Sequence, residues 1–405
     1  MDNNLFGETE AAPGTSAPET VESGAGAETA RISTPQDNTC LIGHEAVIDQ
    51  LLAWYARNAL PHAMIFTGPR GIGKATSAYA LARTVLQDNE AGQGGDAPTD
   101  SLFADADATQ ADTTAARPEL LMDSDNPVFR KVAAQSHPDC LAVARNYDEK
   151  KQKPKTALDV HQIRHIQDFL HMRASSPGGR KIAIIDEGET MNRNAQNALL
   201  KVLEEPPGNS HLIIIADQLG ALLATIRSRV RVMHFTPLSD ADMRALLQAN
   251  LAIEDSNELA LIVHIAEGAV GPALELGSEE GRDIMHGVMR LVQDWPLLNW
   301  ADIYNLSNRI AGKKDSTQRL RIFEYIMKWL ARHMLRIKAR GTRPVSALAA
   351  CQFEQALAST GLDHILQICD NLNNHFDSAF HANLDKIYIV EGAFTTLTND
   401  RAKAA

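Results

Sequence analysis

Short apolar runs alternate with amphipathic stretches through the first part of the chain. The runs at 63–68 (AMIFTG), 139–145 (DCLAVAR), 181–186 (KIAIID), 211–216 (HLIIIA) and 230–235 (VRVMHF) predict β-strands. Strands that are apolar throughout and alternate with helices indicate a parallel sheet that is covered on both faces. The pattern therefore predicts an α/β fold for this part.

Helical periodicity is found between the strands, and after residue 238 it is the main pattern of the chain. Val160, Ile163, Ile166 and Leu170 form one helical stripe, and residues 192–205 form a second amphipathic helix. Strand signals largely stop after residue 238, where a small helical segment is followed by longer amphipathic helices. The second part of the chain is therefore predicted to be all-α.

Acidic residues concentrate in two segments that lack this periodicity. Residues 1–37 carry seven acids and one arginine, and residues 88–125 carry ten acids and one arginine. Both are rich in small and polar residues that bury little apolar surface. We expect a disordered acidic tail at 1–37 and a flexible acidic insertion at about 88–127. The rest holds 34 acids and 37 bases, which argues against an independent high-affinity DNA binder.

The stretch GPRGIGKATS (68–77) has the pattern of a phosphate-binding loop between a strand and a helix. Its glycines let backbone N–H groups surround phosphate, and Lys74 would reach the outer phosphates. Ala75 stands where a Ser or Thr hydroxyl normally binds Mg²⁺, and the side chain of Thr76 points about 100° away. The predicted nucleotide-binding residues of this loop are Gly68, Pro69, Arg70, Gly71, Ile72, Gly73, Lys74, Ala75 and Thr76.

An acidic pair, Asp186 and Glu187, ends the strand at 181–186. In P-loop ATPases such a pair binds the metal and polarises the attacking water. The alternative is an Asp and a Glu that merely end a strand at a solvated loop. The pair follows an apolar strand downstream of Lys74, and this favours the first interpretation.

Four stretches resemble the clamp-loader ATPases of the AAA+ class: LIGHE (41–45), LPHAMIFTGPRGIGK (60–74), NAQNALLKVLEEPP (194–207) and LLATIRSRV (222–230). The resemblance covers about residues 39–283 apart from the insertion. The stretch that ends in Glu-Glu-Pro-Pro is the most specific. Beyond residue 283 the chain is similar to the family only in its helical character.

The resemblance implies three domains after the tail. They are an α/β AAA+ P-loop domain at 38–237, which carries the insertion at about 88–127, a small helical lid at 238–283, and an all-α collar at 284–405. The AAA+ domain is expected to be a parallel sheet with helices on both faces.

The resemblance also assigns roles to single residues. Ser228 and Arg229 match a motif whose arginine acts on the ATP of an adjacent subunit, and Val230 stands where a cysteine is usual. Taken alone, the arginine could be a solvated charge. Gly271 occupies the position of a sensor arginine, and the first sensor position falls near Ala216–Asp217. Because the Mg²⁺ hydroxyl and both sensors are altered together, we expect absent or very weak ATP hydrolysis by this chain.

Three functions remain open at this point. The first is a non-hydrolysing clamp-loader subunit of the DNA polymerase III holoenzyme, a DNA-directed DNA polymerase and nucleotidyltransferase. The second is an active clamp-loader motor ATPase, and the third is an unrelated P-loop nucleotide kinase or transferase. The resemblance implies a hetero-oligomer with gamma/tau motor subunits and a delta subunit, acting on a sliding clamp and primed DNA.

The four cysteines bear on metal binding and on the cell compartment. Cys40, Cys140, Cys351 and Cys369 form no C-x-x-C pair, which suits a reducing cytoplasm. The family often holds zinc through four cysteines, but the matching interval is the cysteine-free insertion, so no zinc or other metal site is predicted. No cofactor is required, and residual binding of ATP, ADP or Mg²⁺ is left open. No apolar run is long enough to span a membrane.

Overall fold

The computed structural model describes residues 34–39, 41–91, 120, 123–145, 147–148, 153–154, 157–251, 253–312, 316–349, 351–382 and 384–398. Most of the predicted tail and insertion lies outside these residues. The strands in the described ranges are β1 (Ala63–Thr67), β2 (Cys140–Val143), β3 (Tyr147–Asp148), β4 (Lys153–Pro154), β5 (Lys181–Ile185), β6 (Ser210–Ala216) and β7 (Arg231–His234).

The helices surround and follow these strands. Those of the first part are α1 (Glu45–Ala56), α2 (Lys74–Ala91), α3 (Pro127–Ala133), α4 (Val160–His171), α5 (Arg193–Glu204) and α6 (Ala224–Arg227). Those of the second part are α7 (Asp240–Asn250), α8 (Ser256–Ala266), α9 (Val270–Gly277), α10 (Glu279–Gln293), α11 (Trp300–Ala311), α12 (Ser316–Arg340), α13 (Cys351–Ser359), α14 (Leu362–Ala382) and α15 (Lys386–Thr398).

Five strands form one parallel sheet in the order β2-β5-β6-β1-β7. Side chains alternate across it, so Met64 and Phe66 join the core with α2, while Ala63 and Ile65 join the core with α4 and α5. Burial of both faces explains why the strands read as continuous apolar runs. The predicted α/β fold and its five strands are confirmed.

The structure changes the predicted limits of the two acidic segments. Residues 88–91 continue α2, where the buried Asn89 donates to Asp139 and to the carbonyl of Arg180. Residues 34–37 are held as well, because the buried Arg83 donates to the carbonyl of Gln36. Composition averaged over a segment cannot register such single contacts, so both limits were drawn too generously.

Only helices follow β7 in the described part of the chain. The core of α7–α15 is continuous and includes the fully buried aromatic residues Phe323, Trp329, Phe353, Phe376 and Phe394. The predicted boundary between lid and collar at 283 falls inside α10 and stays a prediction. In the described ranges no helix is long and apolar enough to cross a membrane.

Gly268, between α8 and α9, packs against the segment that connects the sheet domain to the helical part. It has a φ of 80°, and a Cβ there would lie 2.5 Å from Pro237 Cβ and 2.7 Å from the Leu238 carbonyl oxygen. We expect Gly268→Ala to lower the thermal unfolding midpoint by several degrees, because the left-handed backbone alone costs an L-residue about 1–2 kcal/mol. Gly220→Ala is the matched control, since nothing lies within 4 Å of its Cβ. Equal midpoints for the two variants would contradict this close junction.

A buried histidine makes stability depend on pH. His333 stacks on Trp329 with ring centroids 4.9 Å apart. Burial lowers the pKa of His333 to about 4; His264 and Arg336 also lower it, whereas Glu267 raises it. The unfolded chain binds this proton near pH 6.5, so stability is full above that pH and falls as the pH drops towards 4. Urea midpoints at pH 7.5, 6 and 5 test this. His333→Phe is expected to flatten the decline, and an unchanged decline would contradict the assignment.

Candidate functional site

The candidate site lies at the carboxyl edge of the parallel sheet, where ligands of such sheets bind. The loop 68–73 follows β1, Arg145 follows β2, Asp186 and Glu187 follow β5, and Asp217 follows β6. Because β1, β5 and β6 are neighbours in the sheet, their ends bring these residues together. The cleft at this edge has a volume of about 540 Å³.

The loop has the backbone that its glycines predict. Gly68, Gly71 and Gly73 have φ values of 149°, 78° and 103°, a region that residues with a Cβ rarely adopt. A Cβ at Gly68 would also lie 2.3 Å from the carbonyl oxygen of Phe235. On the other side of the loop, His44 Nε2 lies 2.6 Å from the Ile72 carbonyl oxygen. The backbone of residues 68–73 therefore has the shape of a phosphate-binding loop.

The ammonium group of Lys74 makes its hydrogen bonds to acceptors of this same chain. Its Nζ donates to the carbonyl oxygens of Gly68 (2.6 Å) and Pro69 (2.7 Å) and to Asp217 Oδ1 (2.8 Å). The side chain is only 4% exposed. An ammonium group has three N–H donors, so each of them has a protein acceptor.

The acidic pair is also engaged internally. Both carboxylate oxygens of Glu187 accept from Arg145, at 2.6 and 2.7 Å, and these hydrogen bonds lower the pKa of Glu187. Asp186 accepts the backbone N–H of Glu187 at 2.9 Å. Burial raises the pKa of Asp186 and, on the same side of the cleft, of Glu189.

These residues do not fit a bound Mg²⁺ well. Ala75 has no side-chain oxygen, Thr76 is buried beside it, and the next hydroxyl, Ser77 Oγ, donates to the carbonyl of Gly73. In the described ranges no group of three acidic, histidine or cysteine side chains could hold a metal ion. The expectation that no zinc is bound stays a prediction.

The helical part closes the cleft from the other side. The backbone N–H of Gly271, at the start of α9, donates to the carbonyl of Gly71 at 3.0 Å. A Cβ on Gly71 would lie 2.7 Å from Pro272 Cδ. Gly271, which the resemblance places at a sensor position, therefore contacts the phosphate-binding loop through its backbone and has no charged side chain.

Arg229 and Ser228 lie away from the residues that line this cleft. They follow the short helix α6, where Arg229 donates to the carbonyl of Thr225 and forms an ion pair with Glu204 at 3.0 Å. The Arg229 side chain is 38% exposed. Val230 packs against the core beneath α5 and α6, so this segment is anchored and its guanidinium faces outward.

Sequence reasoning found most of this site but not its internal bonds. Of the predicted residues, those that line the cleft are Arg70, Gly71, Ile72, Gly73, Lys74, Ala75, Thr76, Asp186 and Glu187. It missed Arg145 and Glu189 and noted Asp217 only as an altered sensor. The position of Arg145 directly after an apolar strand was the available signal.

Parts of the chain are similar to known proteins. A family model described as "DNA polymerase III, delta subunit" matches residues 102–239. The chain is 30% identical over 238 residues to DNA polymerase III subunit delta' of Pseudomonas aeruginosa, covering 57% of this chain and 62% of that protein. It is 26% identical over 208 residues to the replication factor C small subunit of Natronomonas pharaonis, covering 51% of this chain and 46% of that one. The chain thus covers less than two thirds of the length of these curated relatives.

The chain also aligns with solved structures at low identity. The Thermotoga maritima DNA polymerase III gamma subunit-related protein aligns with a TM-score of 0.37 and 16% identity, covering 86% of this chain and 99% of that one. The Thermotoga maritima RuvB Holliday junction branch migration motor aligns with a TM-score of 0.40 and 15% identity, covering 78% and 85%.

The phosphate-binding loop on a parallel sheet, followed by helices that close over it, defines an α/β P-loop fold. The predicted fold class is confirmed. Within that fold, the chain is similar to DNA polymerase III subunit delta' over 57% of its length, and residues 102–239 match the family model.

Proposed function

We propose that this chain is a non-hydrolysing, delta prime-like subunit of a clamp loader in a DNA polymerase III holoenzyme. It braces the motor subunits while they load a sliding clamp onto primed DNA. The observation that carries the proposal is the full internal engagement of Lys74. A loop whose lysine is already bound, and which lacks the Mg²⁺ hydroxyl at Ala75, is poorly suited to phosphoryl transfer.

The second element of the proposal is an arginine finger that acts in trans. Arg229 lies on the surface, and its only ion pair within the described residues, with Glu204, is solvent-exposed. A docked neighbour can replace this pair at little cost, because exposed ion pairs are worth about 0–1 kcal/mol. Arg229 would then face the γ-phosphate of the ATP bound by that neighbour.

The partners and the compartment belong to the same proposal. The partners are gamma/tau motor subunits, a delta subunit, the sliding clamp and, through the assembled complex, primed DNA. The holoenzyme is a nucleotidyltransferase in the cytoplasm, whereas this chain needs no cofactor of its own. The curated relatives named delta' subunits of DNA polymerase III support this assignment.

Reconstitution tests the proposed function. Motor subunits, a delta subunit, the clamp and primed DNA from the same organism are mixed with and without the purified chain. We expect the chain to co-purify with the motor subunits and clamp loading to depend on it. A complex that forms and loads clamps equally well without the chain would contradict the proposal.

A further inference from the structure

The residue that follows β6 neutralises the lysine of the phosphate-binding loop. Asp217 Oδ1 lies 2.8 Å from Lys74 Nζ, although the two residues are 143 positions apart in the chain. Parallel pairing of β1 with β6 places Thr67 opposite Ala216. The next residue of each strand therefore enters the cleft at the same level, which brings the Asp217 carboxylate to the loop.

Asp217 is held in this place from its other side. Its backbone N–H donates to Glu189 Oε2 at 3.1 Å, and Glu189 follows β5, the strand next to β6. The Asp217 side chain is 33% exposed, whereas Lys74 is 4% exposed. The carboxylate is thus the more exposed member of the pair, and both residues line the cleft.

The three acceptors of Lys74 differ in how they affect the binding of a phosphate. The carbonyl oxygens of Gly68 and Pro69 are uncharged parts of the loop itself. Asp217 is the charged acceptor, and it both uses the third N–H donor and repels a second anion. A phosphate oxygen can therefore bind Lys74 only if the carboxylate leaves.

We propose that Asp217 excludes nucleotide phosphates from Lys74. This one residue would then determine whether the P-loop can bind a nucleotide at all, ATP and ADP alike. The inference rests on the proposed function in that both describe a loop that does not work as an ATPase site. It goes further by assigning the loss of binding to one carboxylate, separately from the loss of hydrolysis at Ala75 and Gly271.

Calorimetric titration of the purified chain with ATP and with ADP, with and without Mg²⁺, tests this assignment. Asp217→Asn keeps the size and a hydrogen-bond acceptor but removes the charge. We expect it to bind both nucleotides at least about tenfold more tightly than the unmodified chain. The reason is that the third N–H donor of Lys74 becomes available for a hydrogen bond to the charged phosphate. Asp217→Ser serves as a second variant if the first does not fold.

Two further variants make the result specific. Glu205→Gln removes a carboxylate charge from an exposed position that does not line the cleft, and its affinity is expected to match the unmodified chain. Adding Lys74→Ala to Asp217→Asn is expected to abolish the gain. The proposal is wrong if the unmodified chain and Asp217→Asn bind nucleotide equally, or if Glu205→Gln gains as much.

The outcome is distinguishable from a failure of the proposed function. Nucleotide hydrolysis is followed on the same samples, and we expect Asp217→Asn to bind nucleotide without turning it over, because Ala75 and Gly271 are unchanged. Hydrolysis by the unmodified chain would contradict the non-hydrolysing function. Unchanged nucleotide affinity in Asp217→Asn would contradict only the role given to Asp217.

Discussion

Arg229→Ala is expected to slow DNA-stimulated ATP hydrolysis and clamp loading by the assembled complex while this chain stays folded and incorporated. An arginine that reaches the γ-phosphate of a neighbour stabilises charge in the transition state, and such fingers are worth about 10³–10⁵ in turnover. That loss falls on the one site that faces this subunit. Total hydrolysis is therefore expected to fall partly, and clamp loading further if the sites act in concert.

The contacts of Arg229 explain why folding is expected to survive. Its partners are the carbonyl of Thr225, the hydroxyl of Ser228 and the exposed carboxylate of Glu204. None of these contacts holds the core, because the segment is anchored by Ile226 and Val230. The truncation therefore removes a surface charge and leaves the support beneath it in place.

Arg227→Ala is the matched control for this experiment. Arg227 is an exposed residue in the last turn of α6, two positions away, and its truncation removes the same charge from the same surface. We expect complexes with this variant to hydrolyse ATP and load clamps like the unmodified complex. If the Arg229 variant assembles and loads clamps at the unmodified rate, Arg229 is a solvated surface charge.

Restoring the missing hydroxyl alone is expected to leave the isolated chain inactive. Ala75→Thr supplies a ligand for Mg²⁺, but Lys74 stays bound to Asp217, Glu187 stays bound to Arg145 and no arginine stands at Gly271. Removing one preorganised donor costs about 10²–10³ in turnover, and several parts are missing together. Phosphate release by the purified variant measures this, and fast Mg²⁺-dependent turnover would show that Ala75 was the sole defect.

The sequence predicted the parallel sheet and its loop well because both are local patterns. Each of the five strands is an apolar run, and Gly68, Gly71 and Gly73 mark backbone positions that favour glycine. The two-residue strands β3 and β4 were missed, since pairs this short carry no periodicity.

The ion pairs that close the site could not be predicted from the sequence. Lys74 pairs with Asp217 across 143 positions, and Arg145 pairs with Glu187 across 42. Each pair depends on which strand ends are neighbours in the sheet and on the direction of each side chain there. Sequence reasoning therefore proposed altered catalytic positions, whereas the structure adds that Lys74 and Glu187 are each paired with another charged residue of the site.

ATP turnover by the purified chain, measured with and without Mg²⁺ beside the Lys74→Ala variant, decides whether this chain is a non-hydrolysing subunit. We expect background phosphate release from both proteins, because the loop lacks the Mg²⁺ hydroxyl and its lysine is engaged by Asp217. Circular dichroism checks that both are folded. Clear Mg²⁺-dependent turnover by the unmodified chain that Lys74→Ala abolishes would contradict the non-hydrolysing function and make this chain a motor ATPase.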